Sequence, residues 1–479
     1  MLKTSRHFYI LSAIFGFSLV VVLAVVLLTG DASGQPLRAK LEYLLEGNSG
    51  LPQIALTFDK ASLPERTTAE AAFEITPALP GDLSWNDTTL LFTPSTPLLS
   101  DTEYQVRLRG GLKLLSGRRL EYNTANWVFR TRPARITYLK QEGKAVNLWL
   151  DKRDGTAPQP LTFETERRIL DFTVSPGGER LVYSLEETDL LTAGLWLIKL
   201  DQTGGEKPLQ LVLERKIKAT APRWSPSGDL IAYERRITFD KGGFSPAQLW
   251  LVKADGTSLP PLYGGTKRVG VNLSWTKGGD QVFFWEPLRE AVGIFNFAGE
   301  PIWKTLPGLK PSSLAVSPDG RELILAVFDF SGAQEKQVLL HLTLKKGDDK
   351  SKMASSWEKS SLQLTTPAGF NDLSPAWSPD GRFISFVREE ATPGKNRNSR
   401  IWLFDTQNGK TQPLIEDNQF GINQNQGTYQ WSDDSQQLLF ELYPNNGQAK
   451  PAAEIWEVGT GGKTPQLLIK GGSGPLWVR

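Results

Sequence analysis

The chain has 479 residues, 54 Lys and Arg against 52 Asp and Glu, a formal charge of +2 and no cysteine. That balance lacks the basic excess of a non-specific nucleic-acid binder. The missing thiols exclude disulfides, thiolate metal sites, cysteine catalysis and a lipid-modified N-terminal cysteine. The length exceeds one ordinary core, and 44 Gly and 31 Pro among strand-like segments point to an all-β chain of short strands and tight turns.

Residues 8–28, FYILSAIFGFSLVVVLAVVLL, carry no charge and would span roughly 30 Å as a helix, the thickness of a bilayer's hydrocarbon core. Lys3 and Arg6 precede the run and Asp31 follows it. The expectation is a single-pass anchor over residues 1–30 with a cytoplasmic N-terminus and everything beyond residue 30 extracytoplasmic. A cleaved signal peptide is the competing reading, disfavoured by the length of the run and by the lack of a small-residue site in TGDASG. Residues 31–48 read as a polar stalk.

Residues 49–133 hold strand-length apolar segments, PQIALTFDK, AAFEITP, TTLLFTPSTPLL, TEYQVRLRGGLKL and NWVFRTRP, separated by Pro, Gly, Asp and Ser. That spacing predicts a β-sandwich. The order of LTF, FEITP, a Trp, LFTPSTPL, TEYQV and WVFRT resembles a bacterial Ig-like domain of the kind found in surface-layer and other envelope proteins. The matching residues, Phe58, Phe73, Pro77, Trp85, Phe92, Pro94, Tyr104, Trp127 and Phe129, are expected in the core or at corners, since aromatics at alternating strand positions are usually buried.

From residue 134 onward one plan recurs: strand, Ser- or Thr-led polar turn, strand. The turn anchors are Ser175, Ser225, Thr276, Ser317, Ser378 and Ser432, spaced by 50, 51, 41, 61 and 54 residues. A period near 50 indicates a radial or linear array. In VSPDG and WSPDG the Pro sets φ, the Asp bonds locally and the Gly accepts positive φ. Two turns, at Lys277-Gly278-Gly279 and Asp433-Asp434-Ser435, depart from this and are expected to be looser. A third strand follows each hairpin, as in GLWLIKLD, QLWLVKADG and RIWLFDTQNG, and then a short fourth strand. Packing such four-stranded sheets around an axis removes their open edges.

Before the first full repeat, RITYLK and NLWLDKRDG match a second and a third strand; GPLWVR, at residues 474–479, matches the missing first. The expectation is therefore an all-β chain: a seven-bladed β-propeller over 134–479, closed by strands from both ends, preceded by the sandwich and the transmembrane helix; six blades with stray flanking strands is the alternative. The WSPDG turns followed by IAF-like and IW-like strands resemble the TolB-type β-propeller. Residues 345–361 read as an insertion into the longest interval.

Propellers of this type also precede the catalytic domain of prolyl-oligopeptidase-like hydrolases, but no G-x-S-x-G occurs and His7 and His341 are the only histidines. His341 is read as a strand residue. No calcium loop or zinc set is apparent, so no metal, cofactor or catalytic residue is expected, and the chain is read as a non-enzyme. Binding is assigned to the longer loops joining second to third strands and one repeat to the next. Arg235, Arg236, Lys267, Arg268, Arg388, Lys395, Arg397 and Arg400, with Phe239, Phe244, Phe420 and Tyr429, would gather there and meet an acidic or aromatic protein surface in the cell envelope. The alternatives are an envelope glycan- or peptide-binding module or sensor, and a propeller hydrolase or lyase working in the central channel.

Overall fold

The computed structural model describes residues 37, 39–44, 53–94, 98–120, 125–200, 207–263, 269–297, 302–330, 335–345, 356–359, 364, 366–391, 399–415, 428–443, 452–461 and 464–478. The expected anchor at 8–28 lies outside them. Among the described residues no helix is long and apolar enough to cross a membrane, and the one α-helix, Arg66–Ala72, is seven residues long. The single-pass localisation is corrected on that finding.

The chain is all-β and divides into two compact units, the first ending at Arg130 and the second running from Thr131 with residues 98–102 joined to it. The first unit sets a four-stranded sheet (Ala39–Leu44, Gln53–Phe58, Thr89–Pro94, Gly81–Asn86) with a three-stranded one (Phe73–Thr76, Glu103–Leu108, Ala125–Arg130). Alternate residues of the strands, Ile54, Leu56, Phe58, Leu90, Phe92, Tyr104, Val106, Trp127 and Phe129, are buried, as period-two patterning demands. Trp85 departs from the expected core: it is half-buried, and its Nε1 donates to Glu70 Oε1 at 2.9 Å from the helix, which the strand pattern did not announce.

Among its described residues the second unit shows seven groups of four strands. Six are sequential antiparallel meanders led by Arg168–Val174, Ile217–Trp224, Val271–Trp275, Pro311–Val316, Phe370–Trp377 and Tyr429–Trp431. The remaining group joins Gly472–Val478 to Arg135–Glu142, Ala145–Asp151 and Gln159–Pro160. Its antiparallel register pairs Arg135 with Val478 and Ile136 with Trp477. The expected insertion at 345–361 supplies part of a sheet instead: Ser356–Lys359 pairs with Leu342–Lys345 as the fourth strand of its group.

Six turns share one chemistry. The Oγ of Ser175, Ser225, Ser317, Ser378 and Ser432 and the Oγ1 of Thr276 each accept the N–H of the residue five positions on, at 2.8–3.2 Å. An acceptor at that point satisfies a donor the turn would otherwise leave bare. The turns expected to be looser keep the bond, and Ser435 takes the positive φ (61°) that glycine supplies elsewhere. In five of these six motifs, all but the one at Ser175, an Asp accepts from the same hydroxyl, at 2.6 Å in Ser317–Asp319 and 2.5 Å in Ser378–Asp380.

Buried apolar clusters join each group to the next. Val182, Leu195 and Leu197 meet Ala219, Trp224 and Ile231; Ala326 and Leu339 meet Ile384 and Phe386; Ile401 and Leu403 meet Trp431, Leu438 and Phe440. The series returns to its start, because Leu439, Ile455 and Ile469 pack with Ile136, Tyr138 and Trp477, and Val478 packs with Leu148, Ile169 and Phe172.

Ser378 is fully buried, so Ser378→Ala strips the Phe383 N–H of its acceptor. The expected loss is about 1–3 kcal/mol, read as a lower denaturant midpoint at unchanged m-value; a midpoint equal to wild type contradicts the turn assignment.

Candidate functional site

The leading strands of the second unit are interrupted at corresponding points. Their pairing registers slip between Ile169 and Asp171, Thr220 and Arg223, Val271 and Ser274, Pro311 and Ser313, and Leu373 and Ala376. Ala221, Asn272 and Ser374 have positive φ at these bulges, as does Gly474 at the slip of Gly472–Val478 against Arg135–Glu142 between Thr137 and Leu139, and Pro follows Ala221, Ser374 and Gly474. A bulge turns an N–H out of the ladder and leaves it needing an acceptor. Asp171 Oδ2 accepts from Ala221 N at 2.7 Å, and Glu441 Oε1 accepts from Gly474 N.

These two carboxylates line a cavity of about 730 Å³ walled by the leading strands Arg168–Val174, Tyr429–Trp431 and Gly472–Val478. Phe172, Arg223, Thr428, Tyr429, Gln430, Asp433, Tyr443 and Trp477 complete most of its wall. Neither carboxylate has an ion-pair partner among the described residues, and Asp171 Oδ1 and Glu441 Oε2 are buried without a hydrogen-bond partner. Burial pushes the Asp171 carboxyl up to about 6, against the pull of the Ala221 N–H and Arg223. Burial likewise raises Glu441, opposed by Gly474 N–H and by the hydroxyls of Thr428 and Tyr443, and raises Tyr443 to about 12 with help from the Glu441 charge.

Of the sequence-predicted residues, Lys267, Arg268, Lys395, Arg397 and Phe420 lie outside the described residues. Phe239 and Phe244 sit half-exposed on the connection between Leu230–Ile237 and Gln248–Lys253. The arginines are more committed than a binding loop requires. Arg235 donates to Glu214 Oε2 at 2.7 Å and lies over the Trp250 ring, and Arg236 donates to Glu234 Oε2 at 2.8 Å. Arg388 is buried: its Nε and Nη2 donate to Asp372 Oδ1 and Oδ2 at 2.7 and 2.8 Å, and its guanidinium covers Trp402. A bidentate buried pair of this kind holds two strands together, which corrects its placement on the loop face. Arg400 is partly buried on the neighbouring strand, paired in register with Arg388. Tyr429 belongs to the cavity wall, where its hydroxyl meets the carbonyls of Ser374 and Ser385 at 2.6 and 2.9 Å. His341 is buried, with its ring edge-on to Trp377 and Nε2 3.4 Å from Glu322 Oε2.

Asp171, Glu441, Arg223, Tyr443 and Trp477 were not singled out from the sequence as a site. One signal was available: Asp171, Ala221, Asn272, Ser313, Ser374 and Thr428, all small or polar, stand four residues before the turn anchors, in the leading strands or, for Thr428, just before one.

Residues 46–131 match the model of a bacterial Ig-like domain. No curated protein matches the chain. Among solved structures it is similar to the periplasmic gluconolactonase of Pseudomonas aeruginosa, at 15% identity over 72% of this chain and 99% of that one, with a TM-score of 0.48. It is similar to a putative TolB from Agrobacterium tumefaciens at 16% identity over 56% and 87%, TM-score 0.35. A puromycin-hydrolyzing peptidase of Mycobacterium tuberculosis is similar at 11% identity over 70% and 53%, TM-score 0.47. The likeness does not single out TolB. Since named enzymes stand among these structures, the expectation that the chain is a non-enzyme is corrected and set aside.

Because the folded protein resists ionising Asp171, this group's effect is to lower stability as pH rises from 3.8 through about 6. Asp171→Asn keeps an oxygen for the Ala221 N–H and removes the charge. The Tm of the variant relative to wild type is expected to climb between pH 4 and pH 7, followed by circular dichroism; a difference that stays constant across that range contradicts the assignment.

Proposed function

We propose that the second unit is a seven-bladed, TolB-like β-propeller that serves as a protein-binding scaffold. Support for the blade count comes from the seven four-stranded groups, each packed on the next and the last on the first. In a four-stranded meander the first and third connections lie at one end and the second at the other. All second-to-third connections therefore share one edge of the ring.

The observation that carries the binding role is what those connections expose. Leu190 (62%), Phe239 (49%), Phe244 (52%), Leu288 (75%) and Phe330 (61%) stand in solvent on the connections of four successive groups. Single exposed apolar side chains are ordinary, but large ones repeated along one edge mark an interaction surface. Aromatic anchors of this type carry most of the energy in protein interfaces. The basic residues of the same edge are largely neutralised by neighbours, as in Lys216–Asp240 at 2.7 Å and Lys218–Glu186 at 2.6 Å, so in this reading the apolar tips lead and the cations orient.

Combined Phe239→Ser, Phe244→Ser, Leu288→Ser and Phe330→Ser tests it by crosslinking in intact cells followed by mass spectrometry. Proteins crosslinked to wild type are expected to be recovered at least about tenfold less with the variant, the change that about 1.4 kcal/mol produces, at unchanged Tm. Equal recovery of every crosslinked protein contradicts the role.

A further inference from the structure

We propose that the cavity bordered by Arg168–Val174, Tyr429–Trp431 and Gly472–Val478 binds an organic ammonium group, with Asp171 and Glu441 as its anionic partners and the rings of Phe172, Tyr443 and Trp477 as its aromatic wall. This goes beyond the scaffold reading and does not depend on it, since the loop edge and the cavity use different residues.

The chemistry follows from the wall. Three carboxylates, Asp171, Asp433 and Glu441, face one guanidinium, Arg223, whose Nη1 donates to its neighbour Pro222 O at 2.8 Å. The wall is net acidic at neutral pH. A carboxylate that only had to accept one bulge N–H could be replaced by an amide without leaving an uncompensated charge, whereas a deep carboxylate without an ion pair is costly. Here two such groups line one cavity, and each retains an oxygen without a partner. An ammonium group supplies the missing charge and up to three donors. Aromatic faces add attraction for an organic cation that they do not offer to a neutral polyol. A bare divalent ion fits less well, because among the described residues no group of three His, Cys, Asp or Glu is placed to hold one. Thr428, Gln430 and Ser473 in the same wall offer polar contacts to the rest of such a ligand. The volume of about 730 Å³ accommodates either a small diamine or a lysine side chain with its flanking backbone.

The test uses the full chain at neutral pH and calorimetric titration with 1,4-diaminobutane and with the blocked tripeptide Ala-Lys-Ala; magnesium chloride and xylitol are the comparison ligands. At least one amine is expected to bind saturably, and Asp171→Asn and Glu441→Gln are each expected to weaken it about tenfold or more while the unliganded Tm holds or rises. Tighter binding of the diamine assigns the site to a free amine, and tighter binding of the tripeptide assigns it to a peptide side chain. Absence of saturable binding by both amines, binding that both variants leave unchanged, or stronger binding of magnesium or xylitol overturns the proposal. Should either variant fail to fold, wild type is labelled with a diazirine-bearing diamine. Label on residues 170–176, 428–443 or 473–477 upholds the site, and label found only elsewhere overturns it.

Discussion

The second unit depends on one pairing between strands more than 300 positions apart in sequence, Gly472–Val478 against Arg135–Glu142. Without it, the strand Arg135–Glu142 has an open edge, and Tyr138 and Ile136 lose the partners they share with Leu439 and Ile455. An exposed, apolar strand edge is a liability that proteins rarely leave unmanaged. The same strand also gives two walls their residues: Val478 seals the cluster around Phe172 and Tyr183, while Gly474, Leu476 and Trp477 face the cavity. The strand that completes the series therefore also forms one wall of the cavity.

Local rules and long-range packing agree at the turns. A Ser or Thr hydroxyl accepts the N–H five residues on, in all but the Ser175 turn it donates to an Asp, and a glycine or Ser435 takes the left-handed corner. Three of the turns are reached from the neighbouring group: Arg135 Nη2 donates to Gly178 O at 3.0 Å, Arg180 Nη2 to Gly228 O at 2.9 Å, and Asp380 N to Ser435 Oγ at 3.1 Å. A positive-φ glycine thus also offers its carbonyl to the adjacent group. The bulges work at the other end of the leading strands, turning N–H groups toward Asp171 and Glu441 and drawing those carboxylates to the cavity.

Much of the fold was legible because its signals are local and repeated: the turn anchors recur at intervals of 41 to 61 residues, and period-two burial marks strands such as Thr89–Pro94 and Glu103–Leu108, while second strands such as Val282–Glu286 are buried along their whole length. Even the pairing of distant strands could be read, since Trp477 occupies the position that Trp224 holds in its own repeat. The site was less legible. Arg388 looks like any loop-end arginine until Asp372 is found opposite it, and nothing local distinguishes it from Arg236. Asp171 and Glu441 belong to a leading and a second strand 270 residues apart, and only the return of the chain to its start brings them to one cavity. The helix Arg66–Ala72 is short enough to leave no periodic trace, and the strand Ser356–Lys359 is hidden in a polar, charged stretch.

The most direct test of closure is hydrogen exchange of the second unit in wild type and in Val478→Asp, which places a carboxylate at a fully buried position. The account predicts faster exchange spreading through the groups on both sides of the junction, including Leu148, Tyr183, Leu439 and Ile455, with global destabilisation of about 3–5 kcal/mol. Faster exchange confined to residues 472–478, with the rest of the unit as slow as wild type, would contradict it.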